Sequence, residues 1–243
     1  MRTKILFEDE AILVIHKPAG LATQTDKPGM ADVVSELKNY LAKSGKNPYL
    51  GLVHRLDQPV EGILVFAKTP EAAKNLSAQL TTGKLKKYYY CLVPGKPDAG
   101  KGKLTDYLVK SDANTSKVVP PELLKGPLGN IAKEARLEWY LVITQNMGFD
   151  PDDAKSIGTD SYSMLEIQLF TGRHHQIRVQ MAHAGMPLLG DLKYGSPESK
   201  KLSEKFGVKT TALIAYRVEF RHPVTGALMH YNIPAPEEWS YGF

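Results

Sequence analysis

The apolar positions of this chain recur with two periods, and together they mark out its elements. Residues 11–15 (AILVI) form a short, mostly β-branched run that reads as a buried strand. The run closes at the turn signal His16-Lys17-Pro18-Ala19-Gly20. Over residues 30–43, Val33, Val34, Leu37, Tyr40 and Leu41 fall at helical spacing, with Gly45 as the stop. Residues 52–62 (LVHRLDQPVEG) read as a polar loop feeding a buried strand at 63–67. Thr69-Pro70-Glu71 then opens a helix: Thr69 caps it, and Pro70 takes the first position, where a missing N–H is harmless. Ala73, Leu76 and Leu80 form its predicted buried face and Gly83 its end. Residues 88–93 are a further strand.

Residues 95–136 are rich in Gly, Pro, Lys and Asp and show no strand that can be placed. This stretch is the one candidate boundary, and it reads as internal loops. A strand pattern resumes at 136–144. The polar segment 145–162 reads as a long hairpin connection. Residues 164–170 alternate, with Leu165, Ile167 and Leu169 on one side, as in a half-buried strand. Residues 175–184 read as a helix closed by Gly185. Strands at 213–220 and 229–233 pair around the turn at 222–226. Strands outnumber helices and several join by short turns. The expectation is a single α+β domain over residues 1–243 with a mixed, mainly antiparallel sheet.

Composition narrows the function classes. Hydrophobic residues at 42% and charged residues at 23% match a soluble globular protein. A chain of 243 residues buries a core without covalent staples. Its one cysteine, Cys91, permits no internal disulfide and sits in an apolar run, so a buried thiol and a reducing compartment are expected. The apolar runs are too short to span a bilayer. Acidic residues occupy the place of a signal peptide's apolar stretch in MRTKILFEDE, so a cytoplasmic protein is expected. The net charge of +5 suits a polyanionic partner.

The chain has no P-loop and no dinucleotide fingerprint. His174, His175 and His183 lack the spacing of a zinc site. No metal and no cofactor are expected. Two polar stretches stand out. His54-Arg55-Leu56-Asp57 precedes a buried strand, and Thr171-Gly172-Arg173-His174-His175-Gln176-Ile177-Arg178 follows a strand and opens a helix. Such positions are where loops on a rigid scaffold carry chemistry. The plainer reading is a solvated loop with a surface ion pair, and the residues alone leave both open.

Beyond their chemistry, these stretches carry a resemblance. His54-Arg55-Leu56-Asp57, followed by Gly62 and an apolar strand ending in Ala67-Lys68, resembles the central motif of RluA-like RNA pseudouridine synthases. The second stretch, with Gly185, Pro187, Gly190-Asp191 and Tyr194-Gly195, is similar to that family's later signature. Lys17-Pro18-Ala19-Gly20 matches its opening. Lys87-Tyr88-Tyr89-Tyr90-Cys91-Leu92-Val93 resembles its strand bearing an active-site tyrosine, at Tyr89. The resemblance covers residues 7–236. It departs at Val60-Glu61, where relatives often carry Thr-Ser, and at Pro59, so different loop hydrogen bonds are expected. The resemblance carries the expectation of a catalytic domain alone, without the small S4-type domain of many relatives, so that the catalytic domain contacts RNA itself.

The resemblance implies a pseudouridine synthase fold with helices and loops around a central RNA-binding cleft. It also implies an isomerase that converts specific uridines of rRNA or tRNA to pseudouridine. The bond from uracil N1 to the ribose breaks, the base turns, and C5 takes N1's place, with no external cofactor. Asp57 is then the catalytic carboxylate, as nucleophile at C1′ or base at C2′. Arg178 is its charge partner, since its planar fork suits a carboxylate. Tyr89 lies against the flipped uracil, or else is a core aromatic. Arg55 fills the gap or holds phosphate, His54, Gln176 and Ile177 contact substrate or RNA, and Arg173 and His175 touch phosphate or else brace the loop. Lys84, Lys86 and Lys87 track an RNA backbone or form a solvated basic face. RNA is the expected partner of a monomer with no obligate protein partner and no membrane. Two competitors remain: an RNA-binding module without catalysis, and a hydrolase using Asp57 and Glu61 as paired carboxylates.

Overall fold

Local chemistry accounts for the start of the chain in a computed structural model that describes residues 1–43, 48–111 and 114–240. The described structure divides into two compact units, Met1–Tyr88 with Ile214–Pro234, and Tyr89–Leu213 with Ala235–Phe243. In the first unit β1 (Lys4–Glu8) pairs antiparallel with β2 (Ile12–Lys17). The helix α1 (Val33–Ala42) follows, capped by the Asp32 side chain, with Val33 and Leu37 buried. Its predicted stop, Gly45, lies outside the described residues. The short β3 (Gly51–Leu52) and the long β4 (Glu61–Ala67) come next, and β4 pairs antiparallel with β2 from Ile12↔Ala67 to Lys17↔Gly62. Ile12 to Ile15 and Ile63 to Ala67 are all buried, which is why both strands read as continuous apolar runs.

The helix α2 (Pro70–Thr81) begins as predicted: the Thr69 side chain accepts from the Ala72 N–H at 3.1 Å, and Pro70 occupies the first turn. Its buried face is displaced from the predicted one. Ala72, Leu76 and Gln79 are buried, whereas Ala73 and Leu80 are half-buried. Gln79 is inside because its amide caps a strand end, donating to the Arg221 carbonyl at 2.7 Å and accepting from the Arg221 N–H at 2.8 Å. Gly83, at φ +71°, ends the helix region as expected.

From β5 (Lys86–Pro94) the chain enters the second unit. The stretch read as loops contains β6 (Lys101–Lys110), β7 (Ser116–Val118) and the short α3 (Pro127–Ile131). β6 gave no signal because Leu108 is its one buried residue. β8 (Lys133–Asn146) and β9 (Ser161–Leu169) form the expected hairpin, and the polar connection carries α4 (Pro151–Ile157), capped by Asp150. α5 (Gln176–His183) and α6 (Pro197–Lys205) follow, the latter unforeseen. The sheet of this unit runs β5-β9-β8-β6-β7. Leu92, Ile157, Tyr162, Leu189, Leu202 and Ala212 form one of its cores.

β10 (Leu213–Arg221) and β11 (Leu228–Asn232) return to the first unit as the predicted antiparallel pair. β10 also lies parallel to β4, with Ala215 opposite Gly62. The first unit's sheet is therefore β1-β2-β4-β10, extended by β11 on β10 and by β3 on β4. The fold is α+β with mixed, mainly antiparallel pairing and six α-helices among the described residues. No helix among them is long and apolar enough to cross a membrane.

Candidate active site

In the first unit Asp57 is half-buried on the loop between β3 and β4. Both its neighbours along the loop are anchored. Leu56 is buried, its N–H donates to Thr23 Oγ1 at 3.2 Å, and that hydroxyl donates to the Leu56 carbonyl at 2.8 Å. Val60, 2% exposed, closes a turn by donating its N–H to the Asp57 carbonyl at 3.0 Å. The Lys-Pro-Ala-Gly turn grips the same loop from the other side. The Gly20 N–H donates to the Gln58 carbonyl at 2.9 Å, and Lys17 Nζ donates to the carbonyls of Leu21 (2.6 Å), Pro18 (3.0 Å) and Gln58 (3.2 Å). Lys17 is fully buried. Burial pushes its ammonium down to about 8, while Asp57 and Glu61 pull it upward.

Gly62 explains one fixed position of the motif. At φ +141° it lies where a side chain's Cβ would meet Ala215 Cβ at 2.5 Å and Ala215 N at 2.6 Å. Only glycine admits β10 there. The departure at Val60-Glu61 has a use in this chain: Val60 fills the core beneath the loop, and Glu61 bonds His16 Nε2 at 2.7 Å.

His54 faces inward. Its Nε2 accepts from the Val65 N–H at 3.3 Å, which assigns the proton to Nδ1. That Nδ1 is sealed from solvent without a hydrogen-bond partner among the described residues. Burial, helped by the charge of Lys87, pushes the imidazole down to about 3, so it is neutral. Arg55 is exposed. Of the three lysines read as a basic track, Lys84 and Lys86 are exposed, whereas Lys87 is buried and pushed down to about 8 by desolvation. Tyr88 is stacked under the Arg217 guanidinium at 3.8 Å.

In the second unit the polar stretch folds into a closed network. His175, at φ 53°, ψ 25°, turns the chain into α5. Such a left-handed conformation costs a non-glycine residue about 1–2 kcal/mol. Its ring stacks on His174 at 3.7 Å, and its Nδ1 lies 2.9 Å from the Tyr194 hydroxyl, which accepts from the Ser116 N–H at 2.7 Å. Gln176 Oε1 accepts from Thr171 Oγ1 (2.7 Å) and the Arg173 N–H (3.0 Å), and its Nε2 donates to the Arg136 carbonyl (3.1 Å). His175, Gln176 and Ile177 are all buried, so they brace this turn. Arg173 is exposed, with its Nε donating to the Glu134 carbonyl at 2.8 Å.

Arg178 is buried and donates from Nε and Nη2 to the two oxygens of Asp191, each at 2.7 Å. Burial pushes the Asp191 carboxyl up, but Arg178 and the N–H groups of Lys193 and Tyr194 outweigh it and hold it below the usual range. The guanidinium also lies 5.3 Å from the Tyr194 ring centroid. Asp191 stands within the later motif, where the sequence assigns it no partner; the signal for one is that a buried arginine requires a carboxylate. Tyr89, in β5, is buried. Asp57 thus belongs to the first unit, and Arg178 and Tyr89 to the second. A carboxylate on a half-buried residue of an anchored loop is chemically able to act as base or nucleophile.

Residues 11–183 match the family described as RNA pseudouridylate synthase. The chain is 35% identical over 239 residues to an uncharacterized RNA pseudouridine synthase of Synechocystis sp., covering 96% of this chain and 65% of that protein. It is 32% identical over 241 residues to ribosomal large subunit pseudouridine synthase D of Nitrosomonas europaea, covering 97% and 62%. The chain therefore spans slightly less than two thirds of the length of these relatives. Among solved structures, human RNA pseudouridylate synthase domain containing 1 superposes with a TM-score of 0.71 at 18% identity, over 96% of this chain and 84% of that one. That likeness shows the fold, and with the match over residues 11–183 it establishes that the chain belongs to the RNA pseudouridylate synthase family.

Proposed function

We propose that this protein is an RNA pseudouridine synthase that isomerises specific uridines of ribosomal or transfer RNA, with Asp57 as the catalytic carboxylate. The observation that carries the reading is the anchoring of Asp57: the residue is half-buried on a loop whose flanks are locked by Leu56, Val60, Thr23 and Lys17. A site held this firmly favours the reacting geometry over alternatives. Relatives are named for ribosomal and for transfer RNA, and the reading takes in both.

The target base is stacked in structured RNA and must be turned out, at about a few kcal/mol. Arg55, exposed beside the motif, fills the gap or holds phosphate, and Arg173 meets the backbone. Tyr89 receives the uracil face. Arg178 serves the Asp57 carboxylate, its orientation fixed by the bidentate pairing to Asp191. Asp57 attacks C1′ or takes a proton from C2′; the N1 glycosidic bond breaks, the base turns, and C5 bonds to C1′. The proton on C5 leaves as the one on N1 is gained. The protein acts without a cofactor, as a cytoplasmic monomer. The hydrolase alternative is disfavoured by Glu61, whose carboxylate is engaged by His16.

Tritium release from 5-tritiated uridine in cellular RNA measures the activity, with pseudouridine mapping in cells with and without the protein to name the site. Asp57→Asn is expected to abolish release. Full activity in that variant would remove Asp57 from the mechanism, and free uracil in place of pseudouridine would establish hydrolysis instead.

A further inference from the structure

The second unit contains a basic groove of about 410 Å³, of which the catalytic reading uses Arg173 alone. Lys110, Lys133 and Arg173 supply its charge, Ser116 and His174 one wall, and Ile131 an apolar edge that is 58% exposed. Strand register explains how it forms. Lys133, the first residue of β8, lies opposite Leu108, and Lys110 is two residues farther on the same face of β6. The two lysines are therefore diagonal neighbours, roughly 7–8 Å apart at the backbone. The Gly172-Arg173-His174 turn supplies the remaining wall. It is held there by Ser116 Oγ, which donates to the His174 carbonyl at 2.8 Å.

These cations differ from others in the same unit. Lys103 pairs with Glu138 at 2.7 Å, Arg136 with Glu134 at 3.0 Å, and Lys205 with Asp153. Lys110, Lys133 and Arg173 have no carboxylate partner among the described residues. The acid beside them, Glu134, is turned to Arg136, and its carbonyl holds only Arg173 Nε, leaving the outer donors of that fork uncommitted. Three like charges gathered with no counter-charge among the described residues repel one another and favour an anion between them. A polymer of phosphates fits the paired lysines, and the carbon-bound face of its sugars and bases fits the Ile131 edge.

We infer that this groove binds the phosphodiester backbone of the substrate RNA, with successive phosphates on Lys110, Lys133 and Arg173. The inference rests on the reading of the protein as an RNA enzyme, but its test does not depend on catalysis. A fluorescein-labelled RNA hairpin is titrated with the full chain across a salt series, and the slope of log K against log salt is read. Each single-strand phosphate contact contributes about 0.7 to that slope. The double variant Lys110→Ala/Lys133→Ala is expected to lower it by about 1.4 and to weaken binding at low salt. A charge-matched control, Lys155→Ala/Lys200→Ala on α4 and α6, is expected to leave the slope unchanged. An unchanged slope in the groove variant, an equal fall in the control, or no RNA binding by the parent would each overturn the inference. A groove-dependent slope in a protein that releases no tritium would uphold the groove and refute the catalytic reading. Tritium release with a groove-independent slope would do the reverse.

Discussion

Lys17 and Lys87 are both buried, and desolvation pushes each ammonium down to about 8, yet their surroundings are opposite. Lys17, at the end of β2, donates to three backbone carbonyls and lies in the field of Asp57 and Glu61. Lys87, at the start of β5, has a side chain with no hydrogen bond or ion pair among the described residues, and its charge adds to the field on a neutral His54. A depressed pKa therefore reports burial, and the partner set tells whether the buried charge organises anything. Lys17 ties the Asp57 loop to the Lys-Pro-Ala-Gly turn, whereas Lys87 is a charge the fold tolerates.

The largest test of this contrast takes a carboxylate away from a buried cation. Asp191→Ala removes the two charge-assisted hydrogen bonds that grip Arg178 and is expected to lower unfolding free energy by about 3–5 kcal/mol, read by urea denaturation. A loss below 1 kcal/mol would mean that the pair is not buried as described. Next comes pH. Folded Lys17 gives up its proton near 8 and the unfolded side chain near 10.5, so between these values the unfolded chain holds more protons. Stability from this group therefore rises with pH across that window, by up to about 3 kcal/mol. Below 8 the penalty is full and constant. Lys87 behaves alike. Unfolding curves on either side of the window should show the rise in the parent chain, reduced in a variant lacking either lysine.

Replacing each lysine by methionine separates them by sign. Lys17→Met removes a donor from the Pro18 and Leu21 carbonyls, while Gln58 keeps the Gly20 N–H. A loss of about 1–3 kcal/mol is expected, with a fall in tritium release as the loop loosens. Lys87→Met removes an uncompensated charge and is expected to stabilise the fold by about 1–3 kcal/mol. Destabilisation of comparable size there would sink the contrast. The smallest effect is expected of Glu61→Gln, below about 1 kcal/mol, because the His16 pair is part-exposed.

What was legible beforehand follows a physical division. β2 and β4 were visible because strands covered on both sides are continuously apolar, and α2 because Thr69 and Pro70 act on their own turn. β6 was invisible because it buries one residue, and Gln79 took an expected apolar place because its partner, the Arg221 backbone, arrives from far along the chain. At the candidate site, the motif around Asp57 was readable by resemblance, but nothing local distinguished Lys87, inside, from Lys86, outside.

Local pattern was enough for β2, β4, α2 with its Thr69 cap, the α+β class and the motifs of the family, since each depends on neighbours within a few residues. Folding alone set Asp191 on Arg178, three carbonyls around Lys17, and Lys110 and Lys133 in a groove with Arg173. Those arrangements depend on strand register and burial, which join residues that the chain keeps apart.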